Sequence, residues 1–239
     1  MSGWKGKRFW KDALVREDGE QFHVLLDARP VKTPSKALLA LPTRALSEAV
    51  AAEWRQVEGM VDPRAMPVTR SANAAIDKVA TQFHEVAGLI AEYGGSDLLC
   101  YRAEAPPELA AAQAAAWNPM LDWARRRFGA ELVVTAGVAH VAQPAACLAA
   151  LSAPVQACTP FQLTALHDLV GLTGSLVLGL AATTEDFAPD ALWRLSRFDE
   201  DWQARLWGED EDASAIAENK RKDFLHACHF WKLSTLEAE

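Results

Sequence analysis

The sequence predicts an α+β multidomain protein, in which a small β-rich N-terminal domain precedes a larger all-α helical domain. Short apolar runs separated by turn residues fill the first forty residues, which is typical of strands. Apolar residues then recur every three or four positions, which is typical of amphipathic helices. Two proline pairs, Asp62-Pro63 and Met66-Pro67, lie where one pattern replaces the other. We therefore expect one domain at residues 1–64, including one helix, and a helical domain at residues 65–239.

The N-terminal pattern is that of an antiparallel meander. The predicted strands cover residues 13–16, 22–26, 31–33 and 37–41. Asp18-Gly19 separates the first two strands and is a strong signal for a hairpin turn. Residues 27–30 supply a second turn, and Pro42 ends the strand region. The helical spacing of apolar residues then predicts a helix from about Thr43 to Glu58.

The rest of the chain is predicted to be helical. The predicted helices cover residues 71–79 and onward to 93, 107–128, 161–182 as one central helix, 189–207, and about 213–231. Proline inside a helix costs about 3 kcal/mol, so we expect a break or kink at Pro119, with Asn118 as a cap. Glycines inside the central helix are tolerable if neighbouring helices approach closely. Residues 132–141 fit either a short strand or a buried connector.

Composition and charge exclude several classes of protein. The formal net charge of −8 argues against an extended phosphate-binding face, so we expect no nucleic-acid partner. The four cysteines show no paired spacing, which indicates free thiols in a reducing compartment. The N-terminus lacks a signal or transit peptide, and the longest uncharged apolar stretch, residues 169–184, is too short to span a bilayer. We expect a cytoplasmic protein without membrane insertion.

The common nucleotide and nucleophile motifs are missing from the sequence. It contains no GxxxxGK(S/T), no GxGxxG and no GxSxG. His226, Cys228 and His229 lie close together, but on a helix Cys228 points elsewhere and no second ligand pair has matching spacing. We therefore predict no cofactor and no metal, and we keep an acidic metal-binding module as a third alternative for the function.

His167 and Asp168 interrupt the most apolar predicted helix. Because a buried carboxylate is costly unless it is paired, we interpret the two residues as a structural buried polar pair. The alternative is a general acid/base pair in a small-molecule hydrolase or lyase. Accessibility separates these hypotheses: a catalytic His167 should open onto a cleft, whereas a structural one should be enclosed.

Acids and aromatic residues together indicate a binding surface. Asp199 and Glu200 stand just before Trp202, where acids border an apolar seam. This combination is typical of a binding rim beside an aromatic anchor. The chain also has nine tryptophans, more than most chains of this size, which leaves some for interfaces. A second acidic run, residues 209–212, fits the solvated start of the last helix.

Ordered segments along nearly the whole chain, from about Arg8 to Leu233, resemble a known family. The segments are Asp27-Ala28-Arg29-Pro30-Val31-Lys32-Thr33-Pro34, Ala52-Glu53-Trp54, Met66-Pro67-Val68-Thr69, Ser96-Asp97-Leu98-Leu99-Cys100-Tyr101-Arg102-Ala103, Gln113 with Trp117-Asn118-Pro119, Ala165-Leu166-His167-Asp168, Gly174-Ser175-Leu176-Val177-Leu178-Gly179, Ser196-Arg197, Trp202-Gln203 and Trp207-Gly208-Glu209. They resemble the assembly chaperones that bind the alpha subunit of the F-type ATP synthase, in mitochondria and some bacteria. Ala28 replaces the family's usual glycine, and Phe198-Asp199 stands where leucine and glutamate are commoner.

The resemblance implies a fold, a partner and a site. It implies a β-rich domain followed by a helical one, and a chaperone that holds unassembled alpha subunit until the beta subunit takes its place, without ATP hydrolysis. The family's important carboxylate falls at Asp199-Glu200. We assign Asp199, Glu200, Trp202 and Trp54 to partner binding, expect no catalytic residue, and expect a bacterial, cytoplasmic protein that is monomeric when free.

Overall fold

The computed structural model describes residues 6–235. Trp4, the first residues of the predicted N-terminal domain and the last residues of the predicted helical domain therefore lie outside the described residues. The chain forms two compact units. The first unit comprises the described residues up to Phe83, together with Thr159–Ala165 and the C-terminal residues from His229. The second unit comprises His84–Cys158 and Leu166–Cys228.

The sheet of the first unit is built around one central strand. Its strands are β1 (Ala13–Asp18), β2 (Gln21–Leu26), β3 (Arg29–Pro30) and β4 (Ala40–Leu41). The β1–β2 hairpin turns at Gly19, whose φ of +63° suits glycine, as the Asp-Gly signal predicts. Both β3 and β4 pair antiparallel with β2, at its two halves. The predicted meander is therefore wrong in two details. The fourth strand returns to β2, and the third strand, β3, lies in the predicted turn at 27–30, whereas residues 31–33 form only an isolated bridge from Lys32 to Leu38.

Two helical segments complete the first unit. Helix α1 (Arg44–Gln56) starts at Thr43, whose side chain caps the amide of Leu46. Helix α2 (Pro67–Ala74) continues into a π-helical turn, Ala75–Val79. The Glu53 carboxylate of α1 accepts hydrogen bonds from the amides of Val68 and Thr69, at 2.7 Å each, and so anchors the start of α2. Helix α2 belongs to the first compact unit. The domain boundary at residue 64 stays a prediction.

Most of the helical residues lie in the second unit. Its helices are α3 (Phe83–Glu92), α4 (Pro107–Phe128), α5 (Ala145–Gln156), α6 (Pro160–Thr173), α7 (Leu176–Ala181), α8 (Pro189–Ser196), α9 (Phe198–Trp207) and α10 (Glu211–Thr235), of which α3, α6 and α10 also contribute residues to the first unit. A two-residue parallel pair, β5 (Tyr101–Arg102) with β6 (Thr135–Ala136), accompanies them. A small strand region followed by a larger helical part confirms the predicted fold class.

Three predicted helix boundaries are wrong. Helix α4 passes through Pro119 without a break, and the Asn118 side chain accepts a hydrogen bond of 2.9 Å from the Arg102 guanidinium instead of capping a helix. The central helix is split between α6 and α7 at Gly174, where φ is +68°. The predicted helix at 189–207 is split at Arg197 into α8 and α9. The close approach expected at the glycines is confirmed at Gly179, where a Cβ would lie 2.4 Å from Val170.

The connector after α4 is largely exposed. Gly129 ends α4 with a φ of +72°, as predicted. Val138 is 96% exposed, which corrects the expectation of a buried connector, and β6 realises the alternative of a short strand. The Gln143 side chain holds the backbone of Val133 through both its amide and its carbonyl group. Within the described part of the chain, no helix combines the length and the apolar character needed to cross a bilayer.

Candidate partner-binding site

His167 and Asp168 lie on the surface of α6. Their side chains are 61% and 48% exposed, and His167 Nδ1 lies 3.0 Å from Asp168 Oδ1. The prediction of a buried structural pair is therefore wrong, because the two residues occupy the outward side of a helix that is otherwise apolar. The hydrogen bond to Asp168 raises the pKa of His167, against the opposing effect of its partial burial.

His167 borders a surface hollow of about 400 Å³, together with Tyr93, Ser96 and Gly171. The histidine is open to solvent and not enclosed, so accessibility no longer argues against a chemical role. The hydrogen-bond partner of its ring is Asp168. The hollow by itself defines no reaction.

The buried carboxylate of the second unit is Asp97, which the sequence reasoning missed. It accepts hydrogen bonds from Ser175 Oγ at 2.7 Å, from the amide of Val177 at 3.0 Å and from the amide of Leu99 at 3.0 Å. Burial raises the pKa of Asp97, and these bonds oppose the rise. Asp97 thus fixes the start of α7 against the turn that precedes β5. Its signal was present in the matching segments Ser96-Asp97 and Gly174-Ser175, but without spatial information it could not be read.

Asp199 and Glu200, the two predicted carboxylates, face different ways at the start of α9. Asp199 is half-buried and accepts a hydrogen bond of 2.7 Å from Gln113 Nε2. The other end of the Gln113 amide accepts the backbone N–H of Ala103, also at 2.7 Å. Glu200 is exposed and pairs with Arg197 at 2.7 Å. Asp199 therefore ties α9 to α4, whereas Glu200 is available to a partner.

Trp202 is partly covered by the protein, and its indole nitrogen makes no hydrogen bond within the described residues. Its ring is half-buried, and the Arg205 guanidinium lies 5.3 Å from the ring centroid. The indole Nε1 is buried without a hydrogen-bond partner among residues 6–235. A buried donor without an acceptor is uncommon in native proteins.

The most exposed aromatic side chain of this region is one that the sequence reasoning did not assign. Trp207, at the end of α9, is 78% exposed, and its neighbour Leu206 is 60% exposed. Trp207 lies seven residues after Glu200, so the two side chains share one face of the helix. Trp202 and Leu206 point to other sides of the helix, about 160° and about 120° around its axis from Glu200. We call the outer surface of α9 that carries Glu200, Leu206 and Trp207, with Trp202 at its half-buried edge, the α9 face. Its sequence signal is an apolar pair that directly precedes a helix-ending glycine and a run of acids.

Trp54 takes a different position from the one we expected. It is 2% exposed and packs against Trp10, with ring centroids 5.2 Å apart. The Trp10 indole N–H also donates to the Trp54 carbonyl at 3.2 Å. Trp54 offers almost no surface to a partner, so we correct its role to one in the core of the first unit.

Among the described residues, neither the cysteines nor a group of metal ligands forms a second candidate site. The four cysteines are free thiols, as predicted. Burial raises the pKa of Cys100 to about 12, of Cys158 to about 11 and of Cys228 to about 12. These thiols stay protonated at neutral pH and are poor nucleophiles. Among residues 6–235, no three His, Cys, Asp or Glu side chains are grouped so that they could hold a metal ion.

Known proteins match this chain over almost its entire length. The model of the ATP12 chaperone protein family matches residues 7–125. Atp12 from Paracoccus denitrificans is 47% identical over 95% of this chain and 98% of that one, with a TM-score of 0.93. A mutant of the same protein matches with the same identity and TM-score. A protein from Agrobacterium tumefaciens, named as a candidate chaperone, is 39% identical over 95% of this chain and 86% of that one, with a TM-score of 0.90.

These similarities define the class of the protein, which is a chaperone. The chain belongs to the ATP12 chaperone family.

Proposed function

We propose that this chaperone binds the unassembled alpha subunit of the F-type ATP synthase and shields the surface that later meets the beta subunit. Family membership supports the choice of client. One observation carries the proposal of a binding surface: Trp207 and Leu206 are 78% and 60% exposed on the same short helix as the exposed carboxylate of Glu200. Exposed apolar groups rimmed by charge mark interaction sites on soluble proteins.

The physical need for such a chaperone follows from the assembly of a ring. A subunit that lacks its neighbour exposes a large apolar surface, which is prone to aggregate. A chaperone that covers this surface needs no ATP if the proper neighbour displaces it by mass action. The complex must then be specific, but weaker than the final assembly.

The residues of the α9 face have different roles in this proposal. Trp207 anchors the contact in an apolar pocket of the client, because aromatic side chains carry much of the energy of interfaces. Glu200 meets a basic group on the client and speeds the encounter. Trp202 extends the apolar surface at the half-buried edge of the face. Asp199 contributes mainly by holding α9 on Gln113.

We further propose that the free chaperone is a monomer in the bacterial cytoplasm and binds neither nucleic acid nor membrane. A net charge of −8 opposes binding to phosphate-rich surfaces. A monomer also leaves the α9 face open to its client. Light scattering coupled to gel filtration measures this directly, and a stable dimer that buries Trp207 would contradict it.

Co-expression with the alpha subunit tests the proposal. We expect soluble alpha subunit to increase several-fold, and a complex with the chaperone to be isolated by gel filtration. The beta subunit alone is the matched control, because it shares the exposed-interface problem but is not the proposed client. If soluble alpha subunit does not increase and no complex is recovered, the proposal fails.

A hydrolase or lyase that uses His167 and Asp168 is the alternative function. It is favoured by one observation, the opening of His167 onto the hollow beside Tyr93. The two functions separate in the variant His167→Ala, which should retain full activity in the co-expression assay if the protein is a chaperone without catalysis. Turnover of a small ester or hydroxy acid that this variant abolishes would support the enzyme.

A further inference from the structure

The first unit contains a cavity whose lining residues have no part in the α9 face. Its volume is about 650 Å³, within the range of sites that bind small molecules and peptide side chains. Trp54, Val61 and Met66 form its apolar part, and most of its wall is apolar. All three side chains are buried, with at most 7% exposed, so the wall belongs to the rigid core.

A π-helical turn supplies one side of this cavity. Residues 75–79 wind with the wider hydrogen-bond spacing of a π-helix, and the amide of Ala80 bonds the carbonyl of Ala75 at 2.9 Å. Such turns are rare and concentrate at functional sites. Here the turn carries Asp77, whose Oδ2 accepts the amide N–H of Ser35 on the opposite wall at 3.0 Å.

Two polar atoms in the cavity wall lack hydrogen-bond donors. Asn73 Oδ1 and Asp77 Oδ1 are buried, and neither has a hydrogen-bond partner within the described chain. Buried acceptors without donors are few in native proteins and call for an explanation. A ligand that carries N–H groups would satisfy both atoms after small side-chain rotations.

The charge at the cavity is opposite to that of the whole chain. Lys32, Arg70 and Lys78 line it, and none of the three forms an ion pair within 4.0 Å among the residues that the structure describes. Asp77 is the acid among the lining residues. Arg70 acts on the Glu53 carboxylate, whereas Lys32 and Lys78 are exposed cations that favour an occupant with a carboxylate.

From these features together we infer that the cavity binds a short extended peptide segment in which bulky apolar side chains alternate with carboxylates. The apolar side chain enters between Trp54 and Met66, the carboxylates meet Lys32 and Lys78, and backbone N–H groups donate to Asn73 and Asp77. A fatty acid would supply the apolar body and the carboxylate, but not the donors. The site is separate from the α9 face, so the inference does not depend on the identity of the client.

Fluorescence anisotropy with a labelled eight-residue peptide of alternating leucine and glutamate tests the inference on the full-length chaperone. The same peptide with lysine in place of glutamate is the charge control, and decanoate is the lipid-like control. We expect the acidic peptide to bind, and the basic peptide and decanoate to bind at least about tenfold more weakly. Tighter binding of decanoate, or equal binding of the two peptides, would overturn the peptide assignment.

Variants locate the binding at the cavity. Lys32→Glu with Lys78→Glu should weaken binding of the acidic peptide about tenfold, since both exposed cations are replaced by charges that repel its carboxylates. Lys220→Glu with Lys222→Glu, on the exposed side of α10, makes the same change in net charge and should leave binding unchanged. Ala74→Phe fills the cavity without a change in charge and should also abolish binding. Equal losses in both double variants, or full binding by a folded Ala74→Phe protein, would refute the site.

Discussion

Two acidic regions of the second unit differ in how far the chain satisfies them. Asp97 is fully buried and receives three hydrogen bonds at 2.7–3.0 Å, so the fold meets its needs. The α9 face combines an exposed carboxylate, Glu200, with the exposed ring of Trp207 and the unpartnered indole nitrogen of Trp202. An acid whose hydrogen bonds are all made within the protein has a structural role, whereas an exposed acid near unpaired groups is a candidate for binding. The residue type alone does not separate these two cases.

The largest effect is expected from Asp97→Ala. The substitution removes the acceptor for Ser175 Oγ and for the amides of Leu99 and Val177, and leaves these donors buried. We expect the free energy of unfolding to fall by about 3 kcal/mol or more, as measured by urea denaturation. Asp168→Ala, at an exposed position, is the control and should change stability by less than about 0.5 kcal/mol. Similar losses in both variants would erase the distinction between the two kinds of acid.

Trp207→Ser tests the second of the two regions, the α9 face. The side chain is 78% exposed, so its removal should leave the unfolding midpoint unchanged. If Trp207 anchors the client, the affinity for alpha subunit should fall about thirtyfold, which corresponds to about 2 kcal/mol. Leu89→Ser, at another exposed apolar position, should leave the affinity unchanged. Isothermal titration calorimetry measures both, and full affinity in Trp207→Ser would remove the anchor from our proposal.

The features that could be predicted from the sequence are those set by short segments. Asp18-Gly19 fixes the hairpin and Gly129 ends α4, because turn chemistry needs only neighbouring residues. Pro119 misled us because local cost predicts a break, whereas the tertiary packing of a 22-residue helix overrides it. The side chain of Asn118 accepts a hydrogen bond from the Arg102 guanidinium and does not act as a helix cap.

The features that could not be predicted depend on distant contacts. Asp97 and Ser175 are 78 positions apart, so nothing in either segment reveals the bond between them. Helical periodicity placed His167 and Asp168 inside, because it cannot tell which side of an apolar helix is left uncovered. The same uncertainty applied to tryptophan: Trp54 and Trp207 look alike in sequence, but one is 2% and the other 78% exposed.

Glu200→Lys sharpens the role assigned to the outer carboxylate. The fold should stay intact, since the pair with Arg197 is half exposed and such pairs contribute little. The complex with alpha subunit should weaken about fivefold, and the difference from the wild type should shrink as salt is raised. Glu20→Lys, in the exposed β1–β2 turn, is the control for net charge. Unchanged affinity across salt concentrations would refute the placement of the contact.

Asp199→Asn separates positioning from direct contact. The amide oxygen of asparagine still accepts the Gln113 N–H, so α9 stays in place although the charge is lost. We expect client affinity to change by no more than about twofold, whereas Asp199→Leu, which cannot accept the bond, should reduce it further. If Asp199→Asn and Asp199→Leu weaken the complex equally, the negative charge of Asp199 contacts the client directly. Its hydrogen bond with Gln113 would then not be its main contribution to binding.

The smallest expected effect concerns the exposed pair on α6. Because Asp168 raises the pKa of His167 in the folded protein, the folded state binds the histidine proton more tightly than the unfolded chain does. This contribution is fully present below the ordinary pKa of 6.5 and is lost as the pH rises through the raised value. His167→Asn should therefore lose stability relative to wild type at pH 5.5 but not at pH 8.5, by a few tenths of a kcal/mol because both side chains are near half exposed. If the free energy of unfolding of the variant and of the wild type differs by the same amount at every pH in this range, the His167–Asp168 pair is not formed in solution. The enzymatic alternative would then also lack the pair that it needs to hold a proton.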